Sequence, residues 1–268
     1  MRQLTTYRMG EVRPYINWAY FMHAWGMSGK PHDQQQELRQ EAERTLDELD
    51  SRYVTRAIVG LYTANSDGDD IIVGKTRIPM LRQQRPSEPD GACLCLADFI
   101  RPLSQGRTDR IGIFATTVDH AMETWGGNDP YKKMMAQTLA DRLAEATAER
   151  LHQQVRTTLW AYAHNEQLSM EQLHNEQYQG IRPAVGYPSL PDTSINFILA
   201  RLIRMERIGI RLTESGMMMP HASVSGFMLA HPAARYFDVG TIGEDQLADY
   251  ARRRGVPTEL MRRFIRRL

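Results

Sequence analysis

The stretch GIRPAVGYPSLPD, residues 180–192, contains three prolines and two glycines. Each proline fixes its own φ, lacks an N–H and pushes the residue before it out of the α region, so this stretch cannot lie inside a helix. A loop that is stiff by its covalent structure loses little entropy on binding, and its backbone N–H and C=O groups can face a ligand. The pattern therefore predicts either a ligand-binding loop or a tight connection between two helices.

The composition is that of an ordinary globular protein. Of the 268 residues, 42% are hydrophobic and 24% are charged, and this length allows one large domain or two small ones. No apolar run is long enough to span a membrane, and residues 1–15 lack the apolar core of a signal peptide, so we expect a cytoplasmic protein. The formal net charge of +1 gives no general attraction for nucleic acid.

Hydrophobic patterns indicate alternating helices and strands. We expect a long helix at 131–162 and strands at 57–62, 70–73, 109–117, 209–213, 224–229 and 236–239. The run SDGDD, residues 66–70, is typical of a hairpin turn, and no GxGxxG motif follows a strand. The predicted fold class is α+β (mixed α/β), with a twisted, largely antiparallel sheet flanked by helices rather than a doubly wound dinucleotide-binding fold.

Two groups of side chains that could bind a metal ion occur in the sequence, but neither predicts a metal site. Asp141, Glu145 and His152 share a face of the long helix, but the histidine is nearly two turns from the closer acid, so a solvated polar face is favoured over a metal site. Cys93 and Cys95 lie in an apolar run and would share one face of a strand. Because C-x-C alone is weak support for a metal site, we predict buried free thiols.

The end of the chain is rich in arginine. Pro257 can begin a helix in which Leu260, Phe264 and Leu268 recur every fourth residue. The arginines fall elsewhere and predict a basic outer face, which is either a solvated surface or a docking surface for an acidic protein; they are Arg252, Arg253, Arg254, Arg262, Arg263, Arg266 and Arg267.

Several long motifs resemble one family in the same order along the chain. They are YINWAYFMHAWGMSGK (15–30), CLADFI (95–100), ADRLAEATAERLH (140–152), RPAVGYPSLPD (182–192), LTES (212–215), ASVSGFMLAHP (222–232) and DQLADYARRRG (245–255). These motifs are similar to those of the activation domain of cobalamin-dependent methionine synthase. The resemblance covers nearly all of the chain and implies one domain, residues 1–268, that binds S-adenosylmethionine.

The resemblance also implies a set of site residues. Arg182 and Ala184 match loop positions that bind the ligand, Ala184 through its backbone, and Tyr187 matches a tyrosine that faces both ligand and cobalamin, the position assigned here to catalysis. The remaining ligand-side positions are Glu145, Glu176, Tyr236, Phe237 and Asn17. Asp141 matches an acid that contacts the cobalamin-binding partner domain. These residue types suit the ligand, because carboxylates favour an ammonium, arginine binds a carboxylate bidentately, and aromatic rings attract a sulfonium.

Three departures from the family pattern concern the site. Asn17 stands where the family commonly has aspartate, so the charge-assisted contact to the ligand ammonium is lost, a loss of about 1 kcal/mol in affinity. Residues 193–196 replace a more polar stretch, and His221 replaces a glycine. The latter two changes place the surface that faces cobalamin in question.

The implied function is reductive methylation. An electron from a flavodoxin-like donor reduces cob(II)alamin, and the resulting cob(I)alamin takes the methyl group of S-adenosylmethionine. The chain contains no D-x-H-x-x-G cobalamin motif, so we expect it to act in trans on a cobalamin-bearing methionine synthase chain, without nucleic acid or membrane partners. Two alternatives stay open: reactivation of another corrinoid protein, and a non-catalytic module that binds S-adenosylmethionine or acts as a scaffold.

Overall fold

The fold is arranged around one strand of 14 residues, β2, in a computed structural model that describes residues 2–88 and 91–265. The strands are β1 (Arg2–Arg8), β2 (Val54–Asp67), β3 (Asp70–Val73), β4 (Thr76–Pro79), β5 (Asp109–Val118), β6 (Arg211–Leu212), β7 (Met218–Met219) and β8 (Ser223–Met228). The α-helices are α1 (Met9–Val12), α2 (Trp18–Ala24), α3 (His32–Asp50), α4 (Pro130–Gln154), α5 (Met170–His174), α6 (Ile195–Ile203), α7 (Glu244–Arg254) and α8 (Thr258–Phe264).

The main sheet is antiparallel, with the order β4-β3-β2-β5-β8, and β1 pairs with the first half of β2. β6 and β7 form a separate two-stranded sheet. The turn at Gly68 joins β2 to β3, as the SDGDD run predicts. The predicted mixed fold with a largely antiparallel sheet is therefore confirmed.

Both faces of the sheet are covered. Along β2, Ile58 belongs to one buried cluster with α6, α7 and α8, whereas its neighbours Ala57 and Val59 belong to a second cluster with α2, α3 and α4. Since successive strand residues point to opposite faces, this assignment makes three layers, helix, sheet and helix. It also explains the nearly continuous apolar runs of the central strands.

The proline-rich loop, residues 180–192, lies along the outer edge of β8. Ile181 exchanges two backbone hydrogen bonds with Leu229, of 2.9 and 3.0 Å, and Phe227 N donates to Pro183 O at 3.0 Å. Gly226 is required here, because a Cβ at this position would lie 2.1 Å from Pro183 O. The loop is not helical, as predicted, but part of its backbone covers the edge strand instead of facing a ligand.

Two predicted strands are absent from the described chain, the one at 236–239 and the one carrying Cys93 and Cys95. Residues 236–239 form no strand within the described chain, because they cross the cleft described below as an irregular segment. Cys93 and Cys95 lie in a loop; both are free thiols, as predicted, but only Cys95 is buried and Cys93 is partly exposed. Just before α6, the Asp192 carboxylate accepts from Ser194 N at 2.8 Å and from the Tyr250 hydroxyl at 2.8 Å.

The basic C-terminal face is largely neutralised by ion pairs. Arg252 pairs with Asp249, and Arg262 pairs with Glu244, at 2.6 and 2.7 Å. In α8 the buried side chains are Met261 and Phe264, while Leu260 is exposed. Arg266, Arg267 and Leu268, which complete the predicted pattern, lie outside the described residues. None of the helices in the described ranges combines the length and apolarity needed to cross a membrane.

Candidate functional site

A cleft of ≈ 660 Å³ opens between α4, the proline-rich loop and the segment around residue 237. This volume is within the range of sites that enclose a small organic ligand. The N-terminal part of the chain closes one side through Tyr15, Asn17 and Tyr20. The end of α5 adds Leu173, His174 and Glu176, so the cleft draws its walls from five separated parts of the sequence.

All eight ligand-side positions predicted from the resemblance line this cleft: Asn17, Glu145, Glu176, Arg182, Ala184, Tyr187, Tyr236 and Phe237. Asp141, assigned to the partner contact, does not line it. The predicted residues thus converge in space, while the role of each one stays a prediction.

Helix α4 supplies the acidic wall. Asp129 caps the helix by accepting from Tyr131 N and Lys132 N, and the buried side chains of α4 fix it against the sheet. Glu145 and Glu149 are one turn apart and both reach the cleft. Glu145 accepts a hydrogen bond from the Tyr187 hydroxyl, so helix and loop are joined across the opening. Burial, followed by the Glu145 charge, raises the pKa of Tyr187 and keeps its hydroxyl protonated.

Arg182 is the central cation of the cleft. Its Nη1 donates to Glu149 Oε2 at 3.1 Å, and its backbone N–H donates to the Tyr236 hydroxyl at 2.9 Å. The side chain is 12% exposed, so it opens only into the cleft. Burial, the largest single influence, lowers the pKa of Arg182, but Glu149 and the neighbouring Tyr178, Tyr236 and Glu145 together raise it above its ordinary value. Arg182 is therefore a held guanidinium suited to a carboxylate ligand.

Ala184 presents backbone groups to the cleft because of its register against β8. The flanking hydrogen bonds are Val185 N to Ser225 O, 2.9 Å, and Phe227 N to Pro183 O, 3.0 Å. In an antiparallel ladder this makes Ala184 the unbonded member of its pair with Gly226, with its N–H directed away from β8.

Glu176 carries backbone strain at the rim of α5. Its φ is 55°, in the left-handed region that disfavours side chains, at a helix end where glycine is common. Burial raises the pKa of its carboxyl, and the nearby Arg182 charge opposes that shift. Strained backbone conformations of this kind are found most often at active sites and ligand-binding sites.

Asn17 has a structural role as well as a place in the cleft. Its Oδ1 accepts from Ala19 N at 3.1 Å and so caps α2. A carbonyl oxygen has a second lone pair, so this cap leaves the amide able to accept from a ligand ammonium.

Asp141 faces His221 outside the cleft, with Oδ1 and Nδ1 3.6 Å apart. Burial raises the pKa of Asp141, and the imidazole opposes that shift. The His221 side chain is 79% exposed, so this departure from the family pattern does change the outer surface. Residues 193–196 do not change the outer surface, because all four are buried. Thr193 and Asn196 donate hydrogen bonds to Ser215 O and Gly216 O.

His152 is buried instead of lying on the solvated face predicted for it. Its exposure is 0%, and its Nε2 lies 3.3 Å from the Tyr162 hydroxyl. Burial, then the charges of Arg156 and Arg182, lower its pKa far below the ordinary value. The imidazole is therefore neutral behind the cleft.

Several cleft residues were missed by sequence reasoning: Tyr15, Tyr20, Arg142, Glu149, His174 and Asp238. A signal existed for two groups. Tyr15 and Tyr20 belong to the quoted YINWAY motif, and Glu149 follows Glu145 by one helical turn. Within the two described ranges, no group of three or more His, Cys, Asp or Glu side chains is arranged to hold a metal ion.

Comparison with known proteins gives two findings. The family model described as the vitamin B12 dependent methionine synthase activation domain matches residues 8–255. Among solved structures, the crystal structure of the MetH reactivation domain bound to AdoHcy is similar, with a TM-score of 0.91 and 38% sequence identity. The match covers 98% of this chain and 89% of that chain.

Proposed function

Because the chain belongs to the activation-domain family of vitamin B12-dependent methionine synthase, we propose that residues 1–268 form one unit that binds S-adenosylmethionine in the cleft. There it supports reductive methylation of the cob(II)alamin of a methionine synthase chain. The observation that carries this proposal is the convergence of eight family-matched positions around one cleft. A relative of similar fold has AdoHcy bound, the compound that remains after S-adenosylmethionine gives up its methyl group.

The charges of the cleft fit the amino-acid end of the ligand. Arg182 binds the ligand carboxylate, and Glu176 and Asn17 accept from its ammonium. Tyr236 and Phe237 supply aromatic surface, with Phe237 buried and Tyr236 fixed by the Arg182 N–H. Charge-assisted and aromatic contacts of this kind are the strongest that a protein offers to a zwitterion attached to a purine.

The sulfonium also fits the acidic wall. Four carboxylates line the cleft together with two cations, Arg142 and Arg182; the carboxylates are Glu145, Glu149, Glu176 and Asp238. The excess of negative charge favours the cationic methyl donor over the neutral thioether product, and so promotes product release. Discrimination between substrate and product therefore rests on charge.

The chain contributes positioning and exclusion of water. A partner-bound cobalamin supplies the cobalt that accepts the methyl group, and a flavodoxin-like protein supplies the electron. Tyr187, half exposed at the rim and bonded to Glu145, closes the opening and orients the donor towards the partner. The sulfonium carries its own leaving group, so no acid or base of the chain is required.

His221 favours a second candidate for the partner. An exposed imidazole beside Asp141, at the edge where the corrinoid partner would dock, replaces the family glycine and alters the contact surface. A different corrinoid protein is therefore the second candidate, and binding to a panel of corrinoid proteins distinguishes the two.

Calorimetric titration with S-adenosylmethionine tests the ligand, with Arg182→Ala as the site variant and the exposed Arg201→Ala on α6 as its matched control. We expect saturable binding that weakens in Arg182→Ala and is unchanged in the control. Methyl transfer is then measured with labelled S-adenosylmethionine, a reductant and a methionine synthase that lacks its own activation domain. Binding without transfer to any corrinoid partner would favour the non-catalytic module, and no binding at millimolar ligand would contradict the proposal.

A further inference from the structure

Four charged side chains of alternating sign form a row that leads away from the cleft into the protein: Arg182, Glu149, Arg156 and Glu166, here called the buried charge row. Arg182 Nη1 lies 3.1 Å from Glu149 Oε2, and Arg156 Nη1 lies 3.9 Å from Glu149 Oε1. Arg156 is completely buried and donates through Nε and Nη2 to both oxygens of Glu166, at 2.7 and 2.8 Å. Neither Arg156 nor Glu166 lines the cleft.

The backbone after α4 builds the inner half of this row. Residues Val155–Leu159 form a π-helical turn, closed by Trp160 N to Val155 O at 2.9 Å. The chain then reverses, Ala163 N donates to Arg156 O, and Glu166 returns to the guanidinium that lies ten residues earlier. A π-turn inserted in a helix is rare and is often found at functional sites.

The hydrogen bonding of the row is incomplete at its centre. Glu149 Oε1 and Arg156 Nη1 are buried without a hydrogen-bond partner, although they face each other at 3.9 Å. Buried ion pairs are in general no more stabilising than apolar residues of the same size. The Arg156 guanidinium also lies over the Tyr178 ring, 4.0 Å from its centroid, so structural contacts account for Arg156 and leave Glu149 as the member of the row with an unused oxygen.

The loose centre determines how Glu149 can meet Arg182. Arg156 attracts Glu149 Oε1, which leaves only Oε2 for Arg182. Without that attraction, both carboxylate oxygens of Glu149 could engage the Arg182 guanidinium bidentately. The N–H groups that a ligand carboxylate requires would then be occupied from within the protein.

We propose that Arg156 and Glu166 are positioning residues, which hold Glu149 to a single contact with Arg182 and so keep the Arg182 guanidinium available to the carboxylate of the ligand. This inference rests on the proposed function, since it requires a ligand that carries a carboxylate. The neutral His152 beside the row adds no competing charge.

The test compares Arg156→Met and Glu166→Gln with the wild-type chain by calorimetric titration. The probes are S-adenosylmethionine and its decarboxylated analogue. Both variants weaken binding of the first probe roughly tenfold, the order expected for one misaligned charge-assisted contact, and leave the analogue unchanged. In an Arg182→Ala background, neither substitution has a further effect. Glu166→Gln retains the size of the side chain, so it still tests the positioning role if Arg156→Met does not fold.

Asp70→Asn is the matched control, because it disrupts a buried ion pair far from the cleft. It lowers the thermal midpoint and leaves both affinities unchanged. The positioning role is overturned if a variant loses affinity equally for both probes, or if folded Glu166→Gln binds S-adenosylmethionine as the wild type does. In either case, binding by the wild-type chain still supports the proposed function. Failure of the wild-type chain to bind S-adenosylmethionine overturns both.

Discussion

Two ion networks in this protein use the same chemistry and differ in how completely the hydrogen bonds of their innermost members are made. The C-terminal network joins Asp70, Arg77, Asp249 and Arg253. Asp70 accepts from Arg77 and Arg253 at 2.7 and 2.6 Å, and Arg253 also donates to Asp249 and to Met80 O. The buried charge row behind the cleft leaves Glu149 Oε1 and Arg156 Nη1 without partners.

Burial alone does not account for this difference. The side chains of Asp70 and Glu149 are 8% and 11% exposed, almost the same. The C-terminal network joins α7 to the β3–β4 hairpin, and the charged groups of Asp70 and Arg253 are hydrogen-bonded to each other and to their neighbours. The row ends at a cleft, where a held cation must remain able to meet a ligand. In these two networks complete hydrogen bonding accompanies the structural role and incomplete hydrogen bonding the place beside the cleft, although Arg254 Nε, paired with Asp192 away from the cleft, also lacks a hydrogen bond.

The largest expected effect is on the C-terminal network. Asp70→Asn leaves the guanidinium of Arg253 without its buried partner and lowers the free energy of unfolding by about 3 kcal/mol. Urea denaturation followed by circular dichroism measures this loss. A change in affinity for S-adenosylmethionine in the same variant would break the comparison, because the network would then be coupled to the cleft.

The next effect concerns pH and the neutral His152 beside the row. The pKa of His152 is depressed in the folded chain. Below the ordinary value of 6.5, the imidazole is therefore protonated in the unfolded chain and neutral in the folded chain. The stability present above pH 6.5 is lost as pH falls from there towards the folded pKa, by up to about 1.4 kcal/mol per pH unit. Denaturation curves at pH 7.5, 6.0 and 5.0 for wild type and His152→Gln check this, and equal slopes in the two chains would refute it.

A smaller effect separates backbone strain from ligand contact at Glu176. Glu176→Gly and Glu176→Ala both remove the carboxylate, but only alanine keeps the penalty for φ = 55°. The glycine variant is more stable than the alanine variant by about 1 kcal/mol, while both bind S-adenosylmethionine more weakly and equally. Thermal unfolding and calorimetry give the two quantities, and unaltered affinity would show that the strain serves no ligand contact.

The smallest expected effect is a gain in affinity for S-adenosylmethionine. Asn17→Asp restores a charge-assisted partner for the ligand ammonium and still caps α2, since aspartate is as good an N-cap as asparagine. Affinity for S-adenosylmethionine rises roughly threefold to fivefold, and thermal stability is unchanged. Asn17→Ser, which caps the helix without adding charge, is the control. An equal rise in both variants would assign the effect to the helix cap.

Local patterns in the sequence predicted much of the backbone. The prolines exclude a helix from residues 180–192, and the turn at Gly68 forms the predicted hairpin. Each of these depends on residues within four positions of one another, whose geometry is set by sterics and short-range hydrogen bonds. Family motifs added the cleft residues, without showing what lies behind them.

Only the tertiary structure decided which polar residues are buried and paired. His152 was expected on a solvated polar face and residues 193–196 on the surface that faces cobalamin, yet all of them are buried. Glu149 meets Arg182 across 33 positions, and Asp192 meets Tyr250 across 58. Periodicity records which face of its own element a side chain occupies, whereas the choice of partner follows from how the elements pack. The sequence by itself determined most of the central strands and the family of this protein, and packing determined the charge environment of its cleft.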